Sequence, residues 1–427
     1  MGYGFLFHDG TLDIIKEGET VFGGLGVRAY PDIPDMEYEL KLTSNNENEA
    51  EFENRENGVR ASLRIEQKGD VFALRISAEY FPEDLGESKT GLHFSPDCAL
   101  SVDISKIDKS KTFAANYLKC EFWCRTFITD DPAKLPDRIQ GLLCSLNGGG
   151  LAYAAAVCDK IFRSDIRGNS DGGISLYIRS NDLRNHVDDT VVMVYSQSGD
   201  NECSGSGGKG GAKALIAHVT ERALRIMGKK GRLRTERRYP EILEYLGWCS
   251  WDAFHMDVTH DDLLRKAEEF RNKDIPVRWF ILDDMWGDVP AITRKTMHNR
   301  ALNSFEADPV RFPKGLKACI TELRDKYGIL SGIWHPTTGY WNGILPDGEI
   351  AREHKELLVL TQNRKLVHSP ELIPAFRYYQ LQHSFYRDCG AEFVKVDNQG
   401  FINVHYRYLS SFGEAAHNLH TAIEASV

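Results

Sequence analysis

The hydrophobic positions of this chain change their spacing about halfway along. Up to about residue 200 they alternate with polar positions or form short β-branched runs, as in Val71–Ser77, Gly173–Ile178 and Thr190–Tyr195, with turn-forming clusters between them. That spacing predicts a β-sandwich. Asn147-Gly148, between Leu142–Cys144 and Leu151–Tyr153, predicts a hairpin, because both residues tolerate positive φ. The glycine-rich stretch Ser204–Gly211 predicts a loop. Ala212–Met227 then places Leu215, Val219, Ala223 and Ile226 on one helical stripe. The basic segment Lys229–Arg238 reads as a linker.

From Tyr245 the pattern alternates strand and helix. Strands are expected at Tyr245–Trp251, Val277–Leu282, Ile329–Trp334 and Phe393–Val396, and helices at Asp261–Asn272, Lys314–Tyr327, Glu371–Cys389 and Val404–Ala425. Thr259 with Asp262 resembles a capping box, and Gly328 and Gly390 sit where helix ends need positive φ. Alternating βα units imply a parallel sheet. The expected fold is therefore α/β with a large β domain. Residues 1–235 would form the β-sandwich with its helical linker, and residues 241–427 the first half, four βα units, of a (β/α)₈ TIM barrel. A closed barrel needs eight strands, so the barrel is expected to be truncated at Val427.

Composition narrows the function. With 42% hydrophobic and 27% charged residues the 427-residue chain is an ordinary globular protein. A net charge of -10 argues against nucleic acid or an anionic membrane as partner, since both require a basic footprint. No apolar run approaches the roughly 20 residues of a membrane span. The N-terminus lacks the pattern of a signal peptide, and the nine cysteines are scattered. A cytoplasmic location with reduced thiols is expected.

Each predicted strand of the second half ends in polar and aromatic residues. These are Gly247-Trp-Cys-Ser-Trp-Asp-Ala-Phe254, Leu282-Asp-Asp-Met-Trp286, Gly332-Ile-Trp-His-Pro-Thr-Thr-Gly-Tyr-Trp341 and Val394-Lys-Val-Asp-Asn-Gln399. The C-terminal rim of a parallel barrel is where chemistry is placed. Carboxylates accept from hydroxyls and indoles cover the apolar face of a sugar ring, so acids beside tryptophans suggest a polyhydroxylated ligand. Singly these motifs are weak, because strand-end tryptophans are often core and paired aspartates often cap helices.

In order and together, the four motifs resemble glycoside hydrolase family 36, most closely its raffinose synthase and seed-imbibition-protein branch, which includes alkaline α-galactosidases. The resemblance runs from about Phe122 to the last residue and takes in Leu135–Leu143 and Ser369–Pro374. It implies that Asp397 is a nucleophile forming a covalent galactosyl intermediate. Lys395 would contact sugar hydroxyls, its charge favouring the carboxylate form of Asp397. Asp283 and Asp284 would bind the 4- and 6-hydroxyls, and Trp248, Trp286 and Trp334 would be aromatic walls. A retaining glycosidase also needs a second carboxyl about 5–5.5 Å from the nucleophile. In the family it follows a later strand, and no aspartate of this chain matches that motif, so the acid/base is expected beyond Val427.

Three other motifs are weaker. Gly205–Gly210 fits G-x-G-x-x-G, but a basic segment follows where a dinucleotide site would have a strand ending in an acid. His255–His260 lacks a metal-ligand spacing, and no cofactor or metal is expected. Cys249 reads as a buried or pocket-lining thiol. The leading expectation is a retaining α-galactosidase acting on α-galactoside oligosaccharides of the raffinose type. The alternatives are a raffinose- or stachyose-synthase-type galactosyltransferase and a non-catalytic galactoside-binding protein.

Overall fold

The computed structural model describes residues 2–81, 92–107, 110–120, 123–147, 149–198, 211–293 and 299–427. The G-x-G-x-x-G stretch and Gly148 lie outside them. The chain divides into two compact units, Met1–Arg237 with Ser411–Gly413, and Arg238–Ser410 with Glu414–Val427.

The first unit is an antiparallel β structure. Its strands were expected to form the separate layers of a sandwich; instead one hydrogen-bonded path runs through them and returns on itself. The closure comes from strand Glu19–Ala29, which is 11 residues long. Along one edge it pairs with Leu100–Ile107, from Phe22 opposite Ile107 to Ala29 opposite Leu100. Its other edge is shared by Thr11–Lys16 and Tyr38–Asn45. The path is thinnest between Ile139–Leu146 and Arg163–Gly168, which share the single pair Ile139–Ile166. Closure removes most exposed strand edges. The enclosed core includes Phe22, Phe52, Phe72, Phe94, Phe113 and Phe162. Leu142 and Leu143 pair with Ala154 and Tyr153 in the expected hairpin, with Gly149 and Gly150 in the turn at φ 93° and 82°. Helix Ala212–Ile226 buries Leu215, Val219 and Ala223 against Val71, Ala155, Val191 and Val194.

The second unit carries four parallel strands in sequence order: β1 Gly247–Cys249, β2 Trp279–Leu282, β3 Leu330–Pro336 and β4 Phe393–Asp397. Helices His260–Asn272, Gly315–Tyr327 and Leu372–Asp388 connect them. The Thr259 side chain accepts from the Asp262 N–H, and Gly328 and Gly390 end helices at φ 66° and 95°. The last expected helix, Val404–Ala425, is broken into Ile402–His405 and Phe412–Ser426. Tyr408 between them takes φ 61°, a left-handed backbone that no helix continues through. A short hairpin, Leu358–Leu360 with Leu366–His368, was not anticipated.

Period-two alternation sorts the sheet into two faces. Phe280, Leu282 and Ile333 lie on the face packed with helices and are fully buried. On the opposite face, aromatic residues lie across glycines of the adjacent strand. Gly247 pairs with Trp279 and Gly332 with Phe393. A Cβ on either glycine would come within 2.0 Å or 2.2 Å of the facing ring, so glycine is what lets these rings lie flat.

Candidate active site

The same alternation carries the site. Cys249 ends β1, Asp283 follows β2, Trp334 is in β3, and Lys395 and Asp397 are in β4, all on the glycine–aromatic face and toward the C-terminal ends. One motif from each strand thus reaches the same region, as parallel neighbours in register must.

The Lys395 ammonium lies 2.6 Å from Asp283 Oδ2. Cys249 Sγ donates to the same oxygen at 3.1 Å, and the Asp284 N–H donates to Oδ1 at 2.9 Å. The Asp283 N–H is in turn held by Ser250 Oγ at 2.9 Å. Burial is the largest single influence and would lower the Lys395 pKa, but the hydrogen bond to Asp283 together with the negative charges around it raises it. The charge expected to serve Asp397 is therefore directed first at Asp283. Burial, with the hydrogen bond to Asp283 adding to it, pushes the Cys249 thiol up to about 11, so it is a donor at neutral pH.

Asp284 is buried and heavily engaged. Its Oδ1 accepts from Tyr340 Oη at 2.5 Å and from the Met285 N–H at 2.6 Å, and its Oδ2 from Trp341 Nε1 at 2.8 Å. Burial raises its pKa and these donors act against the rise. Asp397 accepts from Trp334 Nε1 at 3.1 Å on Oδ2 and from the Asn398 N–H at 2.6 Å on Oδ1. Both acidic motifs share one local device. The residue after each carboxylate, Met285 at φ 75° and Asn398 at φ 63°, is left-handed, and its own N–H bonds back to that carboxylate. Asparagine tolerates this conformation, whereas methionine pays a steric penalty of about 1 kcal/mol or more.

Two tryptophans do not form the expected walls. Trp248 faces the helix layer, its ring centroid 5.9 Å from Phe270 and 4.7 Å from Phe280. It lies on the opposite face from Cys249 because successive side chains alternate. Trp286 is buried; its Nε1 donates to the Trp334 carbonyl at 2.8 Å, bracing β3 from below. Trp334 does meet Asp397, packing beside Trp341 at 6.1 Å. Sequence reasoning missed Tyr340, Trp341, Thr337 and Asn398. Tyr340 and Trp341 stand in the third quoted motif, where a carboxylate in the neighbouring motif needed donors. His260 stacks on Phe312 at 6.3 Å in the core, and no group of three or more potential metal ligands occurs among the described residues.

This architecture is shared with solved sugar-acting enzymes. Over 100% of its length the chain superposes on 60% of a family 36 α-galactosidase, AgaA of Geobacillus stearothermophilus, with a TM-score of 0.52 at 13% identity. The galactosidase domain of the α-galactosidase–sucrose kinase AgaSK gives 0.52, also at 13% identity, over 59% of that chain. The chain belongs to the raffinose synthase or seed imbibition protein Sip1 family, whose model matches residues 152–427. Among curated relatives, a probable galactinol–sucrose galactosyltransferase of Arabidopsis thaliana is 24% identical over 62% of this chain, and a galactinol–sucrose galactosyltransferase of Pisum sativum 26% identical over 30% of it. The chain spans 38% of the length of the first and 19% of the second.

Proposed function

We propose that the protein is a retaining enzyme that transfers α-galactosyl groups, with Asp397 as nucleophile and water as the first-choice acceptor. The observation that carries this reading is the convergence of Asp397, Lys395, Asp283 and Trp334 on one face at the C-terminal ends of adjacent parallel strands. In this reading the four strands are half of a (β/α)₈ barrel. Asp397 attacks the anomeric carbon, the bond to the leaving-group oxygen breaks, and a galactosyl ester forms that the acceptor then cleaves. The donors on each Asp397 oxygen orient the carboxylate while leaving a lone pair for attack.

Asp283 and Asp284 suit hydroxyl binding better than proton delivery. Asp283 is paired with Lys395 and Cys249, and Asp284 already receives three donors, so neither has room to carry a proton to a leaving group. An axial 4-hydroxyl marks galactose among common hexoses, and fixed acceptors that pair with a hydroxyl discriminate strongly. The acid that protonates the leaving group is therefore a separate carboxyl. Transfer to a sugar acceptor is the second reading, favoured by the names of the curated relatives; it uses the same intermediate.

The test compares wild type with Asp397→Asn on p-nitrophenyl α-galactoside and on galactinol with sucrose. The expected result is a loss on the order of 10⁴-fold or more in kcat with Asp397→Asn. Equal rates in the two proteins would remove Asp397 from the role. A trisaccharide product would select transfer, and free galactose alone would select hydrolysis.

A further inference from the structure

The loops leaving β3 and β4 are joined by two consecutive threonines. Pro336, opposite Asp397 in the register, has no N–H to give the ladder. Thr337 gives the end of the ladder two donors to one acceptor: its N–H bonds the Asp397 carbonyl at 2.9 Å as a regular rung and its Oγ1 bonds the same oxygen at 2.7 Å. The Thr337 carbonyl does not continue the ladder. It accepts from His368 Nε2 at 2.7 Å and from Tyr379 Oη at 2.5 Å. Next to it, Thr338 Oγ1 meets His405 Nδ1 at 2.7 Å, which ties the same loop to the helix following Asp397.

Thr337, Thr338, His368, Tyr379 and His405 are all at most 1% exposed. Burial lowers the pKa of His368 and of His405. A neutral His368 carries one N–H and faces two carbonyls, Thr337 at 2.7 Å from Nε2 and Ser369 at 3.0 Å from Nδ1; the shorter contact assigns the proton to Nε2, with Tyr406 Oη 3.4 Å from Nδ1. Tyr406 Oη also donates to the His368 carbonyl at 3.0 Å, so the imidazole is itself fixed. None of these side chains touches the Asp397 carboxylate.

We propose that Thr337, backed by His368 and Tyr379, is a positioning residue that clamps the Asp397 backbone so that its carboxylate meets the anomeric carbon in line. This rests on the reading of Asp397 as nucleophile. The physical basis is that a displacement of about 1 Å at a reacting group costs on the order of 100-fold in rate, while ground-state binding is hardly altered. Two carbonyls in series, Asp397 and the buried Thr337, each accept two hydrogen bonds and resist such a displacement in a way that a loop after a strand otherwise would not.

The test uses 5-fluoro-α-galactosyl fluoride, whose fluoride leaves without being protonated, so labelling of the nucleophile is read independently of the general acid. Asp397 forms the ester bond to C1 as the C1–F bond breaks and fluoride departs. The rate at saturation, the half-saturation concentration and the labelled peptide are measured by mass spectrometry. Thr337→Val, which keeps shape and the N–H but loses the hydroxyl, is expected to slow saturated labelling about 10–100-fold with half-saturation within about twofold. Thr337→Ser restores the hydroxyl and is expected within about threefold of wild type. Tyr379→Phe, which removes one donor from the Thr337 carbonyl, falls between them and carries the test if Thr337→Val does not fold.

Labelling of Thr337→Val at the wild-type rate, a loss confined to half-saturation, or Thr337→Ser as slow as Thr337→Val overturns the clamp. If Thr337→Val does not fold, an unchanged rate in Tyr379→Phe does the same. Failure of the underlying reading looks different: wild type is then labelled elsewhere or not at all, or Asp397→Asn is labelled as fast as wild type.

Discussion

Lowering the pH to about 5 should cost the second unit much of its stability through its buried histidines. His335, His383 and His405 are buried, and desolvation pulls their pKa values down to about 3, about 4 and about 4. His335 and His383 also face each other, Nε2 to Nε2 at 3.0 Å, so at most one proton fits between them and neither ring readily takes a second charge. In the unfolded chain each histidine titrates near 6.5. The neutral rings therefore leave stability intact above about pH 6.5. It is lost as pH falls toward the folded pKa, because the unfolded state binds protons the folded state refuses.

At pH 5, about 1.5 units below the unfolded value, each histidine costs about 2 kcal/mol, or about 6 kcal/mol for the three. That is a large part of the roughly 5–15 kcal/mol that holds a typical domain folded. Exposed ion pairs, worth about 0–1 kcal/mol each, cannot offset it. The assay is urea unfolding by tryptophan fluorescence at pH 7.5 and pH 5. The chain has 7 tryptophans, and all but Trp123 lie in the second unit, so the signal reports that unit. With a slope of about 2 kcal/mol per molar urea, the midpoint should fall by about 3 M. His405→Asn, which keeps a hydrogen-bonding group near Nδ1, should be less stable at pH 7.5 yet lose about 2 kcal/mol of the pH dependence between pH 7.5 and pH 5. A midpoint unchanged between the two pH values, or a variant with the full wild-type dependence, would refute the reasoning.

Two further outcomes follow from the site and the sheet beneath it. Gly332→Ala should destabilise the protein by about 1–3 kcal/mol in the same urea assay, because its Cβ would sit 2.2 Å from the Phe393 ring. Gly287→Ala in the same unit, whose added methyl would meet nothing nearer than the Glu306 carbonyl at 3.9 Å, is the control, and equal effects at both positions would discount the interlocked rings. The Cys249 thiol, pushed up to about 11, should react with iodoacetamide only slowly at pH 7.5 and faster at pH 9.5, with galactose protecting it at both. Rapid, galactose-insensitive modification at pH 7.5, read by mass on the Cys249 peptide, would show that this thiol does not bond Asp283.

Much of the second unit could be read from local pattern. Its strands and most of its helices obey their periods, and Thr259, Gly328 and Gly390 mark helix ends by their own chemistry. The carboxylates and Lys395 were identifiable because they follow apolar runs. Partnership was less legible. Lys395 sits two residues from Asp397 in sequence, yet its ammonium reaches across β3 to Asp283, since Lys395 and Asp283 share a face of the sheet. Trp248 looked like a wall residue, but a one-residue change of parity turns it toward the helices. The broken final helix was hidden too, because its sequence keeps a helical stripe across Tyr408. In the first unit the strands were visible but the return of the pairing path was not. Joining Glu19–Ala29 to Leu100–Ile107 depends on contacts some eighty residues apart, which no local window contains.

That returning path has a consequence for how the protein is made. As the chain emerges from the ribosome, Glu19–Ala29 must wait for Leu100–Ile107, and Val71–Tyr80 must wait still longer for His186–Ser198. Until then the nascent sheet has unsatisfied rims and an uncovered apolar lining, and distant pairings of this kind close slowly. Biogenesis of the first unit is therefore governed by its last strand, and a ribosome stalled before residue 198 would hold a sticky, half-wrapped intermediate for chaperones to shield.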